Sequence, residues 1–272
     1  MAKTKVNLGV IQETLLITLW ARATEINQSD PIIVDPKSAE ILQAIDYDFN
    51  KFVNAKNSQT GTCLRGMILD NWIRNYLEKY PQGTVVEIGA GLNTRFERVD
   101  NGKVRWFDLD LPDVMELRKQ FFQETERRRF ITTSCLDTNW FEYVKAFGMQ
   151  PCIFVAEGVL MYLNEKQVKQ LFTNLLQEFS GSWFAFDSMS PLIVKNQRYH
   201  DSLKYTLAKF DWGISDIHKI KNWDNRYKIL DVFRFSDLPN QYLKRFSLIN
   251  RFLFSYIPIL ANSYRLALVK LG

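Results

Sequence analysis

The sequence predicts an α/β fold: a doubly wound, mostly parallel, seven-stranded Rossmann-like sheet with an N-terminal helical cap and a helical lid insertion. Two observations carry this expectation. From residue 84 onward, β-branched apolar runs alternate with amphipathic segments in the rhythm of βα units. The first run, VVEIGAGLNTR at 85–95, breaks at a glycine turn, and the next, VRWFDLDLP at 104–112, ends in acids. Sheets of this kind bind ligands outside the carboxyl ends of their strands.

The elements follow in order. Residues 7–22 place apolar side chains near helical spacing, and 37–46 reads as helical again after a loop marked by Pro31 and Pro36. A helix over 62–80 ends before Pro81-Gln82-Gly83, so residues 1–83 form the expected cap. Strands are predicted at 84–88, 103–108, 129–132, 151–156 and 182–187, with helices at 94–98, 112–122, 139–147 and 164–178. Residues 188–225 hold both histidines and are too long for a plain connection, which predicts a lid. Strand-like 226–235 and 262–270 are expected to close one edge as a hairpin-like pair. The cap, the sheet region 84–272 and its lid form one integrated domain in this reading.

Composition narrows the function classes. A chain of 272 residues with 46% hydrophobic content buries a sizeable core. Its 20 Phe, 11 Tyr and 7 Trp fit either ordinary core packing or an apolar pocket for an organic substrate. The net charge of +5 is mild and interleaved with acids, and the densest run, ERRR at 126–129, reads as a solvated loop. No nucleic-acid partner is expected. Cys63, Cys135 and Cys152 lack metal spacing, and two histidines cannot build a His-rich site, so no metal is expected. Free thiols without a recognisable leader predict a cytoplasmic location. Apolar stretches around 15–21 and 252–260 are too short or too interrupted to span a bilayer, and no membrane partner is expected.

The glycine turn carries the chemistry. Glu87 lies inside its strand, where a carboxylate needs donors or positive charge. Gly89 and Gly91 allow a sharp turn and close approach of a ligand, and Asp110, 21 residues after Gly89, is placed to bind ribose hydroxyls. A dinucleotide fingerprint requires a third glycine where Thr94 stands, and Glu87 would repel a pyrophosphate. S-adenosylmethionine carries a sulfonium and an ammonium and no phosphate, so charge favours it over NAD. A strand-to-helix turn without a ligand is the remaining alternative.

Further residues bring in a family. TLWARA at 18–23, DP at 35–36, the Arg65 region, VVEIGAGLNTRFERVDNGKVRWFDLDLPDV at 85–114, SCLDTNW at 134–140 and AEGVLMYL at 156–163 resemble the leucine carboxyl methyltransferase-like family. Its bacterial branch includes the tetracenomycin polyketide O-methyltransferases. The resemblance runs almost end to end and implies a class I S-adenosylmethionine-dependent methyltransferase. It assigns Glu87, Gly89, Ala90 and Gly91 to the first-strand cofactor loop. Asp110 with Leu111 would take the ribose, Ser134, Cys135 and Leu136 would border the adenine, and Glu157 with Gly158 would face the methionine portion. Arg65 and Arg22 would pair with the methionine carboxylate. Two departures stand out: Asn93 replaces the family's usual Asp, and SCLD replaces the Asp-Leu pair of the carboxyl methyltransferase branch, which suggests the small-molecule branch. Asp108 is expected to point away from the pocket by strand alternation.

The implied reaction is O-methylation of a small-molecule carboxylate, phenol or enol, with the acceptor as the main partner. A homo-oligomer is compatible with this reading. The alternatives are a protein C-terminal carboxyl methyltransferase and a catalytically silent binder of the cofactor. A carboxylate acceptor needs no general base, whereas a phenol or enol does. Tyr162 and His200 are the candidate catalytic residues on the acceptor side, with Trp212 beside them and His218 behind. Each has a structural alternative: a core aromatic for Tyr162, surface sites for the histidines, helix ion pairing for Arg65, an exposed helix site for Arg22, a helix cap for Glu157, and simple apolar burial for Cys135.

Overall fold

In the computed structural model, which describes residues 3–149, 151–234, 237–248, 251, 256–257 and 262–272, seven strands form one sheet. A two-residue parallel bridge joins β1 (Thr4–Lys5) to β2 (Ile45–Asp46). Around it lie α1 (Leu15–Glu25), α2 (Pro36–Ala44) and α3 (Lys56–Lys79). The sheet region then runs β3 (Thr84–Ile88), α4 (Arg95–Val99), β4 (Arg105–Asp110), α5 (Pro112–Arg118), β5 (Arg128–Thr132), α6 (Trp140–Phe147), β6 (Cys152–Ala156), α7 (Glu165–Glu178) and β7 (Trp183–Met189). It closes with α8 (Pro191–Lys195), β8 (Tyr227–Arg234), α9 (Asn240–Leu243) and β9 (Tyr264–Leu271).

The strand order is β5-β4-β3-β6-β7-β9-β8. The first five are parallel, and β9 runs antiparallel to both β7 and β8. This is the doubly wound, mostly parallel seven-stranded arrangement expected from the sequence, with one refinement. The last two strands pair antiparallel and close one edge as expected, but in reversed order: β9 lies between β7 and β8, so β8 is the outer strand and β9 occupies the sheet interior. Its residues 266–269 are apolar and buried, as a strand covered on both faces requires. Residue 235 and most of the apolar stretch 252–260 lie outside the described residues.

Strand alternation divides the core between the two faces. Val86 and Ile88 pack with Phe107, Leu109 and helices α6 and α7. Val85 packs on the other face with Trp106, Val155 and the Ile68, Leu69, Trp72, Ile73 and Tyr76 stripe of α3. The cap helix α3 is therefore part of the sheet's own core.

Local chemistry sets the boundaries. Asp35 caps α2 by accepting from Ser38 N at 3.0 Å, with Pro36 in the first turn. Asn164 and Gln167 form a reciprocal capping box at the start of α7. The predicted strand 103–108 begins later, at Arg105, because Asn101 Oδ1 takes the Lys103 and Val104 amides into a turn. The shift makes Asp110 the last residue of β4. The first predicted helix begins at Leu15, after a 3₁₀ turn at Gln12–Thr14, and α3 starts six residues earlier than expected. The lid's helical content is α8 plus three short 3₁₀ turns. Among the described residues no helix is long and apolar enough to cross a membrane.

Candidate cofactor and acceptor site

A cavity of about 570 Å³ opens at the carboxyl ends of the parallel strands, roofed by the cap and the lid. At one end its wall is the glycine turn Gly89–Ala90–Gly91, then Asp110 and Leu111 from β4, and Ser134 and Cys135 after β5. Glu157 and Gly158 follow β6, while Arg22 and Arg65 enter from α1 and α3. The other end is mainly apolar and includes Met161, Met189, Ile193, Leu203 and Phe210, with Tyr162 and His200 on its wall.

The glycine turn is held from both sides. Gly89 N and Ala90 N donate to Leu109 O at 2.8 and 3.1 Å, which ties the turn to β4. Arg118 of α5 donates to the Gly91 and Asn93 carbonyls at 2.7 and 3.0 Å, and pairs with buried Asp108 at 3.0 Å. Gly89 has φ +68°, and a Cβ there would lie 2.4 Å from Val159 Cγ2, so glycine is required by both backbone and space. Asp110 accepts from Gly91 N at 2.7 Å and Leu111 N at 2.8 Å. Burial pushes its carboxyl up to about 6 despite these amides.

Behind the wall lies a buried ionic network. Arg95 joins Asp70 at 2.8 Å and contacts Glu87 and Glu157 through its two terminal nitrogens. Arg98 reaches Asp70 at 2.7 Å and Asp35 at 3.1 Å, and Arg22 lies 3.3 Å from Asp35. Arg65 pairs with Glu157 at 2.8 Å and Asp187 at 2.9 Å. Tyr264 accepts from Arg65 Nη1 at 2.8 Å and donates to Asp187, whose other oxygen takes Gly158 N at 2.8 Å. Burial opposes ionisation of Glu157, but Arg65, Arg95 and Arg22 outweigh it and hold the carboxyl well below the usual carboxylate range. Among the described residues nothing hydrogen-bonds Arg65 Nη2 or Arg22 Nη1, so each guanidinium keeps a donor on a cavity-lining side chain.

Four sequence-derived candidates, Glu87, Leu136, Trp212 and His218, stand off the cavity wall. Glu87 points with Val85 toward α3 and α4, where Asn93 Nδ2 donates to it at 2.9 Å and Arg95 neutralises it. Strand alternation at that register turns it away from the cavity. Burial nevertheless raises its carboxyl, and its Oε2 has no partner. Leu136 packs against the core instead. Trp212 is also a core residue, and His218 is exposed beside Asp216 at 2.9 Å. Asp108 points away from the cavity, bound by Arg118 and Arg128. Sequence reading missed Asp35, Asp70, Arg95, Arg98, Arg118, Asp187 and Tyr264. The signal for two of them was in NTRFERV, where arginines follow the turn one helical turn apart.

The leucine carboxyl methyltransferase model matches residues 15–176. The chain belongs to the leucine carboxyl methyltransferase family. It is 31% identical over 218 residues to the tetracenomycin polyketide synthesis O-methyltransferase TcmP of Streptomyces glaucescens, covering 80% of each chain. It is 28% identical over 240 residues to the S-adenosyl-L-methionine-dependent methyltransferase dpfgK of Gibberella zeae, again covering 80% of each. Among solved structures, N-methyltransferase NodS from Bradyrhizobium japonicum WM9, in complex with S-adenosyl-L-homocysteine, matches with TM-score 0.49 and 12% identity, over 97% of this chain and 100% of that one.

This family member is an S-adenosylmethionine-dependent methyltransferase, and its cavity chemistry fits that cofactor. The wall offers a buried carboxylate at Asp110, oriented by two backbone amides, for hydroxyls, and two arginines with unused donors for a carboxylate. The close approach at Gly89 leaves no room for a side chain where the turn meets Val159.

Proposed function

We propose that this chain transfers a methyl group from S-adenosylmethionine to an oxygen of a small organic acid, phenol or enol, of the kind found in polyketide-like metabolites. The observation that carries this reading is one continuous cavity with an end lined by the glycine turn, Asp110, Arg22 and Arg65, and an apolar, partly aromatic end beneath the lid. The 31% identity to a polyketide O-methyltransferase supports the same acceptor class.

When bound, S-adenosylmethionine supplies a methyl group activated by a sulfonium. The protein's part is positioning and exclusion of water. Arg65 and Arg22 would hold the amino-acid carboxylate through their unused N–H groups, with Arg65 oriented by Glu157, Asp187 and Tyr264. Asp110 would accept the ribose hydroxyls, and Ser134 and Cys135 would flank the adenine. Gly158 and the Glu157 backbone would border the methionine chain. Tyr162, Met161, Met189 and Phe210 would surround the acceptor and exclude solvent from the transfer.

Calorimetry with S-adenosylhomocysteine and with NAD tests the cofactor: binding of NAD alone would overturn the reading. Release of S-adenosylhomocysteine during incubation with aromatic acids and phenols tests the acceptor class. Methylation confined to a protein C terminus would instead select the protein-modifying alternative.

A further inference from the structure

His200 is the one imidazole on the cavity wall, and its hydrogen bonds fix what it can do. It sits in the lid between two 3₁₀ turns, Gln197–Tyr199 and Leu203–Tyr205, with its ring edge-on to Phe210 at 5.6 Å. Its Nδ1 receives the Leu203 backbone N–H at 3.3 Å, and the Ser202 hydroxyl lies 3.4 Å from the same nitrogen. A backbone N–H can only donate, so Nδ1 holds the lone pair and the ring proton belongs on Nε2.

Building on the methyl-transfer reading above, we infer that His200 is a fixed Nε2–H hydrogen-bond donor to the acceptor, not the general base. A base would need its lone pair on the nitrogen free to meet the acceptor, whereas here the lone pair is occupied. Among the described residues no protein group hydrogen-bonds Nε2, which leaves that N–H for a ligand.

The surroundings hold this tautomer. The neighbouring Asp201 lies 3.9 Å from Nδ1, but its carboxylate is committed elsewhere. Asp201 Oδ2 accepts from the Asn57 and Ser58 amides at 3.0 and 3.1 Å, and Oδ1 accepts from the Ser58 hydroxyl. These bonds fasten the lid to the first turn of α3, the helix that carries Arg65. Ser202 adds a 2.8 Å contact to Ser58, so residues 201 and 202 together anchor the imidazole between them and Phe210. Protonation at Nδ1 would set a new N–H against the Leu203 N–H. Burial and the Arg65 charge also disfavour the imidazolium, against the attraction of Asp201.

The carboxylates on the wall are already engaged. Glu157 is paired with Arg65 and Arg95, the Asp201 oxygens accept from the α3 amides and the Ser58 hydroxyl, and Asp110 stands at the cofactor end with two amides of its own. Tyr162 is held in its protonated form by burial. The acceptor oxygen therefore has to reach the site already ionised, and His200 stabilises and aims that anion as a donor.

Imidazole ¹⁵N NMR on the full chain in complex with S-adenosylhomocysteine reads this directly, since only two histidines contribute signals. His218→Gln, at an exposed position, assigns the pair. The expected result is a neutral His200 ring with a pyrrole-type Nε2 and a pyridine-type Nδ1 from about pH 7 upward. A pyrrole-type Nδ1, or an imidazolium near pH 7, would overturn the inference. Failure of S-adenosylhomocysteine to bind would strike the methyl-transfer reading separately, because the tautomer is also readable in the free protein.

Discussion

If Asp110 holds the ribose as proposed, cofactor affinity should depend on pH in a window set by the burial of its carboxyl. Its carboxyl is pushed up to about 6, and ribose hydroxyls can donate fully only to the ionised form. A group titrating there is about nine-tenths ionised at pH 7 and about one-tenth at pH 5. If only the ionised form binds, the dissociation constant of S-adenosylhomocysteine rises about tenfold between those pH values, or roughly 1.4 kcal/mol. Binding near pH 6 should release about half a proton, visible as a buffer-dependent enthalpy in calorimetry. Asp110→Asn should weaken binding at pH 7 by about 1–3 kcal/mol and flatten the profile. The sign for stability is opposite in sense to that of a salt-bridged acid. Because the folded value lies above the ordinary 3.8, Asp110's contribution is complete below that pH and is lost as pH rises through about 6. The ligand-free D110N protein should therefore lose less stability than the native protein over that interval. Affinity that is constant, or tighter, at pH 5 would refute the placement of the ribose on this carboxylate.

Three further outcomes are expected. Gly89→Val should abolish S-adenosylhomocysteine binding in calorimetry, since its side chain meets Val159 and its backbone sits at φ +68°; retained affinity would remove the turn from the site. Arg95→Met should lower unfolding free energy in urea by about 3–5 kcal/mol, because Asp70, Glu87 and Glu157 lose a shared partner in a buried place. A loss below about 1 kcal/mol would show that these charges are solvated. Tyr264→Phe removes the hydroxyl that holds Arg65 and Asp187, so cofactor affinity should fall by about 1–2 kcal/mol with the fold intact by circular dichroism. Unchanged affinity would make Tyr264 a packing residue only.

The strands and the turn were legible because their signals are local. VVEIGAG carries its own alternation and glycines, and the acid at 110 lies at a telling distance in the same two strands. The place of β9 was less legible. Its apolar run announces a buried strand, but nothing local says that it separates β7 from β8. The ionic network was harder still, since Arg65 finds partners 92, 122 and 199 residues away. Such pairings depend on which helix face meets which strand tip. Glu87 shows the same limit in reverse. A carboxylate beside a glycine turn suggested ligand contact, but the strand register turned it toward Arg95.

The ion pairs that cross from the N-terminal helices to the sheet have a consequence for recombination between relatives. Asp35 meets Arg98 and Thr94, Asp70 meets Arg95 and Arg98, and Arg65 meets Glu157 and Asp187, so each side of the junction at residue 83 supplies counter-ions for the other. A chimera that exchanges the first eighty-odd residues must import matching arginines and carboxylates on both sides of the crossover. The lid's hydrogen bonds to α3 run from Asp201 and Ser202 to Asn57 and Ser58 and involve no arginine, so an exchange of the lid leaves these ion pairs in place.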